Sequence, residues 1–71
     1  MAIHLKAARV NAGFKQIDAA KALNISKSTL LNYEKYRTTP DIEMSKKIAK
    51  LYNMSVDDII FFVDDCTLST I

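Results

Sequence analysis

A short polar turn between two apolar stretches constrains the fold of this chain more than any other feature. Residues 22–36 read ALNISKSTLLNYEKY. Asn24 favours the left-handed backbone conformation that ends a helix, and Ser26 is a strong N-cap for a helix that begins at Lys27. A three-residue connection cannot join its helices into a long antiparallel pair, so they must cross steeply. Ala20 supplies the small side chain that such a crossing needs.

Helical spacing of apolar residues predicts five helices in all. The first covers residues 2–12 and ends at Gly13, which adopts the left-handed conformation without penalty. The others are predicted at residues 16–23, from Lys27 through Tyr33, from a Thr39 cap with Pro40 as first helical residue to Asn53, and from a Ser55 capping box through Phe61. No regular element is predicted for residues 62–71.

The size and composition indicate one compact all-α domain, residues 1–61, followed by a C-terminal tail, residues 62–71. The chain has 71 residues, 49% of them hydrophobic, with one Gly and one Pro, which argues against disorder and against a turn-rich β-sandwich. Its longest apolar run, Ile59 to Val63, is too short for a membrane span. Cys66 is the only cysteine, which suits a reducing compartment. We therefore expect a soluble cytosolic protein.

The charge distribution suggests a polyanionic partner, but such a pattern taken alone more often reflects simple solvation of the surface. All ten basic residues and four acidic ones lie in residues 1–56, which gives that part a net charge of +6, whereas the remainder has four acidic residues and no basic one. The predicted outward face of helix three has no acid and several groups that bond to phosphates or base edges. One His, one Cys and no phosphate-binding glycine loop argue against an enzyme, and no metal or cofactor is predicted.

The order of several residues resembles the Cro/C1-type (XRE-like) helix-turn-helix family of phage and bacterial regulators, over residues 3–61. The matching positions are Leu5, Lys6, Arg9, Gly13, Gln16, Ala20, Asn24, Ile25, Ser26, Leu30, Tyr33, Glu34 and Pro40. The resemblance implies a five-helix, lambda-repressor-like domain that binds double-stranded DNA, usually as a homodimer on a near-palindromic operator. Small stand-alone Cro-like phage repressors are the most similar kind, which implies the bacterial cytosol or nucleoid.

The resemblance also implies residue roles. Base-reading positions in the major groove correspond to Lys27, Ser28, Leu31 and Asn32. Phosphate-binding positions correspond to Lys15, Gln16, Thr29, Lys35, Arg37 and Thr38. Arg9 and Glu34 match a structural ion pair between helices one and three.

Some of these roles have alternatives. Leu31 either touches a thymine methyl or is simply an exposed leucine. Thr29 either contacts a phosphate or fills the first helical turn, and Gln16 is either a phosphate contact or a solvated helix start. Lys15 stands where the family prefers a Ser or Thr cap, and Tyr36 stands where many relatives carry Gly.

The apolar run near the C-terminus predicts a contact with a second subunit. One short helix cannot bury five successive large apolar residues against one protomer, so dimer contacts are expected from Ile60, Phe61, Phe62 and Val63. The alternative is a tail that folds over its own core. A protein-interaction module, such as an antirepressor or antitoxin-like partner with the same fold, is the rival function.

Overall fold

The computed structural model describes residues 2–62 and is mostly helical. Its elements, in chain order, are β1 (Ile3–His4), α1 (Leu5–Asn11), α2 (Gln16–Leu23), α3 (Lys27–Glu34), α4 (Ile42–Leu51), a 3₁₀ helix (Val56–Asp58) and β2 (Ile59–Ile60). The predicted bounds of α2 and the predicted start of α3 are confirmed. The expectations for Val63, for Cys66 and for the tail after Phe62 lie outside the described residues.

The two ends of the domain are joined by a short parallel strand pair. Ile3 pairs with Ile59, and His4 pairs with Ile60. The predicted all-α class is confirmed apart from this strand pair, whereas the count of five helices was wrong: the described residues contain four α-helices, and the predicted fifth is a single 3₁₀ turn. Ser55 forms no side-chain cap there, and the β-branched residues after it favour an extended backbone. The same pairing delays the start of α1 to Leu5.

Helix α4 begins later than predicted. Asp41, not Thr39, is its N-cap, and its carboxylate accepts a hydrogen bond of 2.8 Å from the backbone N–H of Met44. An aspartate at this position also interacts favourably with the positive end of the helix. Pro40 is consequently outside the helix, where it is buried.

All four α-helices end in the same way. After each one, a residue with positive φ is followed by a residue whose N–H bonds to the carbonyl five positions earlier, which is the Schellman motif. The left-handed residues are Gly13 (φ 84°), Asn24 (59°), Tyr36 (60°) and Asn53 (56°), and the bonds run from Phe14 to Arg9, Ile25 to Ala20, Arg37 to Asn32 and Met54 to Ala49. Gly13 and Asn24 were predicted in this role. Tyr36 was not, because tyrosine rarely adopts this conformation.

The core lies where α2 and α3 meet α1, α4 and the strand pair. Its buried apolar residues are Leu5, Ala8, Ala19, Ala20, Leu23, Leu30, Ile48, Ala49, Tyr52, Ile59 and Phe61. Leu5, Leu30 and Ile48 are fully buried, and each burial stabilises the fold by roughly 1.5–3 kcal/mol. Because Leu30 anchors the inner face of α3, the opposite face is turned to solvent.

None of the helices within residues 2–62 is long and apolar enough to cross a membrane. No group of three or more potential metal ligands occurs in the same part of the chain.

Candidate nucleic-acid interface

The N-terminal end of α3 is fixed by a side-chain cap. Ser26 Oγ accepts a hydrogen bond of 3.0 Å from the backbone N–H of Thr29, and the two hydroxyl oxygens lie 2.8 Å apart. Thr29 is therefore half-buried in the first turn and is engaged with the cap. Lys27 and Ser28 follow the cap and are exposed.

The remaining predicted residues of α3 lie along the same helix and beyond its end. Leu31 and Asn32 are half-buried, whereas Lys35, Arg37 and Thr38 are exposed. No acidic residue lies in the first turn of α3. Glu34 is its only acid, and its side chain is only 3% exposed. The solvent-facing part of α3 is thus free of negative charge.

Glu34 is the centre of a buried polar cluster that joins three helices. Its carboxylate accepts hydrogen bonds from Arg9 Nε at 2.7 Å, Arg9 Nη2 at 3.5 Å and Gln16 Nε2 at 3.1 Å. Arg9 Nη1 also donates to the carbonyl oxygen of Phe14 at 2.8 Å. The ion pair ties α1 to α3, and the amide of Gln16 ties the start of α2 to the same carboxylate. One N–H of that amide remains for an outside acceptor.

Tyr52 lies in the electrostatic field of this cluster. Burial raises the pKa of Tyr52 to about 12; the negative charge of Glu34 adds to the shift, and the positive charge of Arg9 opposes it. Its hydroxyl is buried and has no hydrogen-bond partner among the described residues. The residue therefore contributes an apolar ring to the core, in tilted contact with Phe14.

A basic depression lies beside the N-terminal ends of α2 and α3. It has a volume of about 510 Å³ and is lined by Lys6, Arg9, Lys15, Gln16, Ile17 and Lys27. Three predicted residues are brought together here, namely Lys15, Gln16 and Lys27. Arg9–Glu34 is the only ion pair within residues 2–62, so the lysines around the depression are unpaired there.

Lys6 belongs to this depression and was not among the predicted site residues. The signal was present in the sequence: Lys6 precedes Arg9 by three residues, and residues three apart on a helix share a face. Because Arg9 reaches across to Glu34 on α3, the face of α1 that carries both residues must lie beside α3. A predicted contact between Arg9 and Glu34 therefore also identifies Lys6.

Five of the exposed cations lie near the ends of α3. Lys15 and Lys27 border its N-terminal end, and Lys35 and Arg37 follow its C-terminal end. Lys6 lines depressions beside both ends. An eight-residue helix is roughly 12 Å long, and the major groove of B-DNA is also about 12 Å wide. The length of α3 is therefore close to the width of that groove.

Tyr36 closes the C-terminal end of α3. Its φ of 60° costs a residue with a Cβ roughly 1–2 kcal/mol. Its hydroxyl contacts His4 Nδ1 and donates to the carbonyl oxygen of Ile60 at 3.5 Å. The rings of His4 and Tyr36 lie 5.7 Å apart, and burial raises the pKa of Tyr36. The end of α3 is thereby connected to both strands of the β1–β2 pair.

The predicted dimer contacts differ in their exposure. Phe61 is only 8% exposed and lies in the protomer's own core, Ile60 is half-buried, and Phe62 is 67% exposed. Phe61 therefore fits the alternative in which part of the run covers its own core. Phe62 is the described residue of this set that offers a large apolar surface to a partner.

Two short helices joined by a left-handed Asn24, the second with an acid-free outward face, define a helix-turn-helix architecture. The profile of the helix-turn-helix family matches residues 5–59. The chain belongs to this family, in its Cro/C1-type branch.

Several proteins similar in sequence to this chain are named as transcriptional regulators. HTH-type transcriptional regulator ImmR of Bacillus subtilis (strain 168) is 43% identical over 56 residues, which cover 79% of this chain and 44% of that protein. An uncharacterized HTH-type transcriptional regulator of Methanocaldococcus jannaschii is 34% identical over 61 residues, or 86% of this chain and 92% of that protein. Another, from Archaeoglobus fulgidus, is 26% identical over 65 residues. The chain thus spans less than half the length of ImmR but nearly all of the archaeal relatives. No solved structure gives a significant match.

Proposed function

We propose that this protein is a sequence-specific DNA-binding regulator of transcription that places α3 in the major groove. The observation that carries the proposal is the acid-free outer face of α3, bordered at each end by cations that form no ion pair within residues 2–62. The length of this eight-residue helix, roughly 12 Å, suits the width of the major groove, about 12 Å. The names of the relatives support the same function.

Within this proposal, the exposed and half-buried side chains along the outer face of α3 read bases. Lys27 donates to guanine O6 or N7, and the amide of Asn32 pairs with adenine N6 and N7. Ser28 lies beside them, and Leu31 is close enough along the helix to contact a thymine methyl.

The cations at the two ends of α3 bind phosphates. Lys6, Lys15 and the free N–H of Gln16 would bind one strand, beside the positive N-terminal end of α2. Lys35, Arg37 and Thr38 would bind the other. These contacts set the register of the protein on DNA without selecting a sequence, because phosphates are alike at every base pair. Among the predicted phosphate contacts, Thr29 is the least suited, because its hydroxyl already contacts Ser26.

We further infer that the protein acts as a Cro-like repressor, a homodimer in the cytoplasm that blocks polymerase by occupying a near-palindromic operator. Two-fold pairing would set two α3 helices one DNA turn, about 34 Å, apart. Phe62 is the described residue best suited to the contact between subunits. Sedimentation of the wild-type protein and of a Phe62→Ser variant tests this: a dimer that dissociates more readily in the variant supports it, and a wild-type monomer that stays monomeric on DNA contradicts it.

A salt series distinguishes DNA reading from the rival function in protein interaction. Binding to a random-sequence duplex is measured between 50 and 200 mM salt, by anisotropy of a labelled duplex. A protein that makes six to ten phosphate contacts should lose affinity by a factor on the order of 10³ to 10⁵ over this interval. Absence of binding at low salt, or binding indifferent to salt, would instead favour a protein-interaction module.

Asn32 and Arg37 test the division between base and phosphate roles. A consensus duplex is first selected from a random pool with the wild-type protein. Asn32→Ala should lower affinity for that duplex by roughly 1–3 kcal/mol and leave affinity for random duplex almost unchanged. Arg37→Ala should weaken both to a similar extent, and the slope of log affinity against log salt should fall by about one. Equal effects of the two variants would refute the division. Lys47→Ala on the exposed face of α4 is the matched control for a lost surface cation.

A further inference from the structure

Tyr36 occupies a backbone position that suits glycine or asparagine better than tyrosine. The other three helices of the described chain end at Gly13, Asn24 and Asn53, whereas α3 ends at a tyrosine with φ of 60°. A disfavoured conformation persists only where surrounding contacts over-determine it. The contacts of Tyr36 must therefore hold its backbone in this conformation.

Those contacts run in two directions from the same residue. The phenol hydroxyl reaches His4 on β1 and the Ile60 carbonyl on β2. The hydroxyl has one proton, so when it donates to Ile60 it accepts from His4 Nδ1–H. In the other direction, the left-handed backbone of Tyr36 turns the chain so that the N–H of Arg37 bonds to the carbonyl oxygen of Asn32 at 2.9 Å.

We propose that Tyr36 is a positioning residue that couples the β1–β2 pair to the DNA-facing end of α3. Its hydroxyl holds the turn in which Arg37, a proposed phosphate contact, is bonded to the backbone of Asn32, a proposed base contact. A change in the strand pair thus alters the geometry between phosphate and base contacts. The consequence for DNA rests on the proposed function, whereas the coupling inside the protein does not.

The coupling is tested without DNA by amide hydrogen exchange in Tyr36→Phe, which removes the hydroxyl and keeps the ring. The expected result is exchange of the Arg37 N–H about five-fold faster, the factor that corresponds to loss of one ordinary hydrogen bond, with exchange at Leu30 unchanged. Tyr33→Phe removes the hydroxyl of a half-buried tyrosine within α3 and is the matched control. Unchanged exchange at Arg37 in Tyr36→Phe would overturn the proposal.

His4→Ala provides a second variant that removes the other side chain from the contact. It should also accelerate exchange at Arg37, and adding Tyr36→Phe to it should produce less than the product of the two single effects, because both act through one hydroxyl. Independent, multiplicative effects would contradict the coupling.

The consequence for DNA is measured as the ratio of affinities for the selected consensus duplex and for random duplex. Tyr36→Phe should lower this ratio about five-fold, since misplaced base contacts cost only specific binding. A purely structural loss would reduce the folded fraction and therefore lower both affinities alike, leaving the ratio unchanged, and that result would refute the positioning role. If the wild-type protein bound no duplex, the proposed function would fail, while exchange at Arg37 would still decide the coupling.

Discussion

Replacing Glu34 by Ala should destabilise the protein more than any other single change in the polar cluster. The substitution removes the partner of Arg9 and of Gln16 in one step, and it leaves the Arg9 guanidinium with only the Phe14 carbonyl. The two charged side chains are 8% and 3% exposed, so the pair is largely shielded from water. Stranding one charge of a buried pair costs about 3–5 kcal/mol.

This cost is large relative to the stability of such a small domain. At roughly 0.05–0.15 kcal/mol per residue, a chain of 71 residues has a free energy of unfolding of about 4–11 kcal/mol. Glu34→Ala should therefore lower Tm by about 12–40 °C. Urea denaturation followed by circular dichroism measures the free energy directly. The loss should be nearly the same at 50 and 500 mM salt, because a buried pair is screened little.

A double variant separates the contribution of the intact ion pair to stability from the cost of removing one of its partners. Arg9→Met with Glu34→Leu replaces both charges by apolar side chains, and its cost should be smaller than that of Glu34→Ala alone. A loss below about 1 kcal/mol in Glu34→Ala, within the range of an exposed pair, would refute this reasoning. So would a double variant whose cost equals the sum of the costs of Arg9→Met and Glu34→Leu measured singly.

Two further changes test the core and the start of α3. Tyr52→Phe removes a buried hydroxyl that has no partner among the described residues, so the free energy of unfolding should rise by about 1 kcal/mol; a lower Tm would contradict this. Folding raises the pKa of Tyr52 from 10.0 to about 12. The stability that the neutral form provides relative to the ionised form is therefore fully present below pH 10, and the free energy of unfolding should fall as the pH rises through about 12. Urea titrations at successive pH values should show a flatter alkaline decline for Tyr52→Phe. Ser26→Ala removes the cap that accepts the Thr29 N–H and should cost about 1 kcal/mol in thermal unfolding; an unchanged melting curve would show that the cap is dispensable.

The helix-turn-helix itself was readable from the sequence because its signals are local. Asn24 ends α2 and Ser26 caps α3 through bonds to residues within a few positions, and such preferences act wherever the chain lies. The predicted bounds of α2 and the start of α3 were correct for this reason. The faces of the helices followed from apolar spacing, and Ala20 and Leu30 are buried as expected.

The elements that were mispredicted depend on contacts between distant parts of the chain. Ile3 and His4 carry no local signal that distinguishes a strand from the first turn of a helix, and their pairing with Ile59 and Ile60 appears only in the folded chain. The same pairing stops the 3₁₀ turn from extending into a fifth helix. At the start of α4 the competition was local, because Thr39 and Asp41 can both cap a helix, and Asp41 has the stronger combination of hydrogen bond and charge.

In the candidate site, too, some features follow from local signals and others from contacts between distant parts of the chain. The residues along α3 follow from the position of Ser26, whereas the inclusion of Lys6 depends on how α1 packs beside α3. Tyr36 illustrates it most clearly, because a tyrosine in a left-handed turn contradicts local preference and is explained only by its contacts with His4 and Ile60.

Amide chemical-shift mapping with the selected duplex tests the placement of α3 in the major groove most directly. The isotope-labelled protein is titrated with that duplex, and shifts are assigned for residues 2–62. The largest changes should fall between Lys27 and Asn32, with further changes at Gln16 and Arg37. Changes concentrated on the exposed lysines of α4, with the outer face of α3 unaffected, would show that another surface meets the nucleic acid.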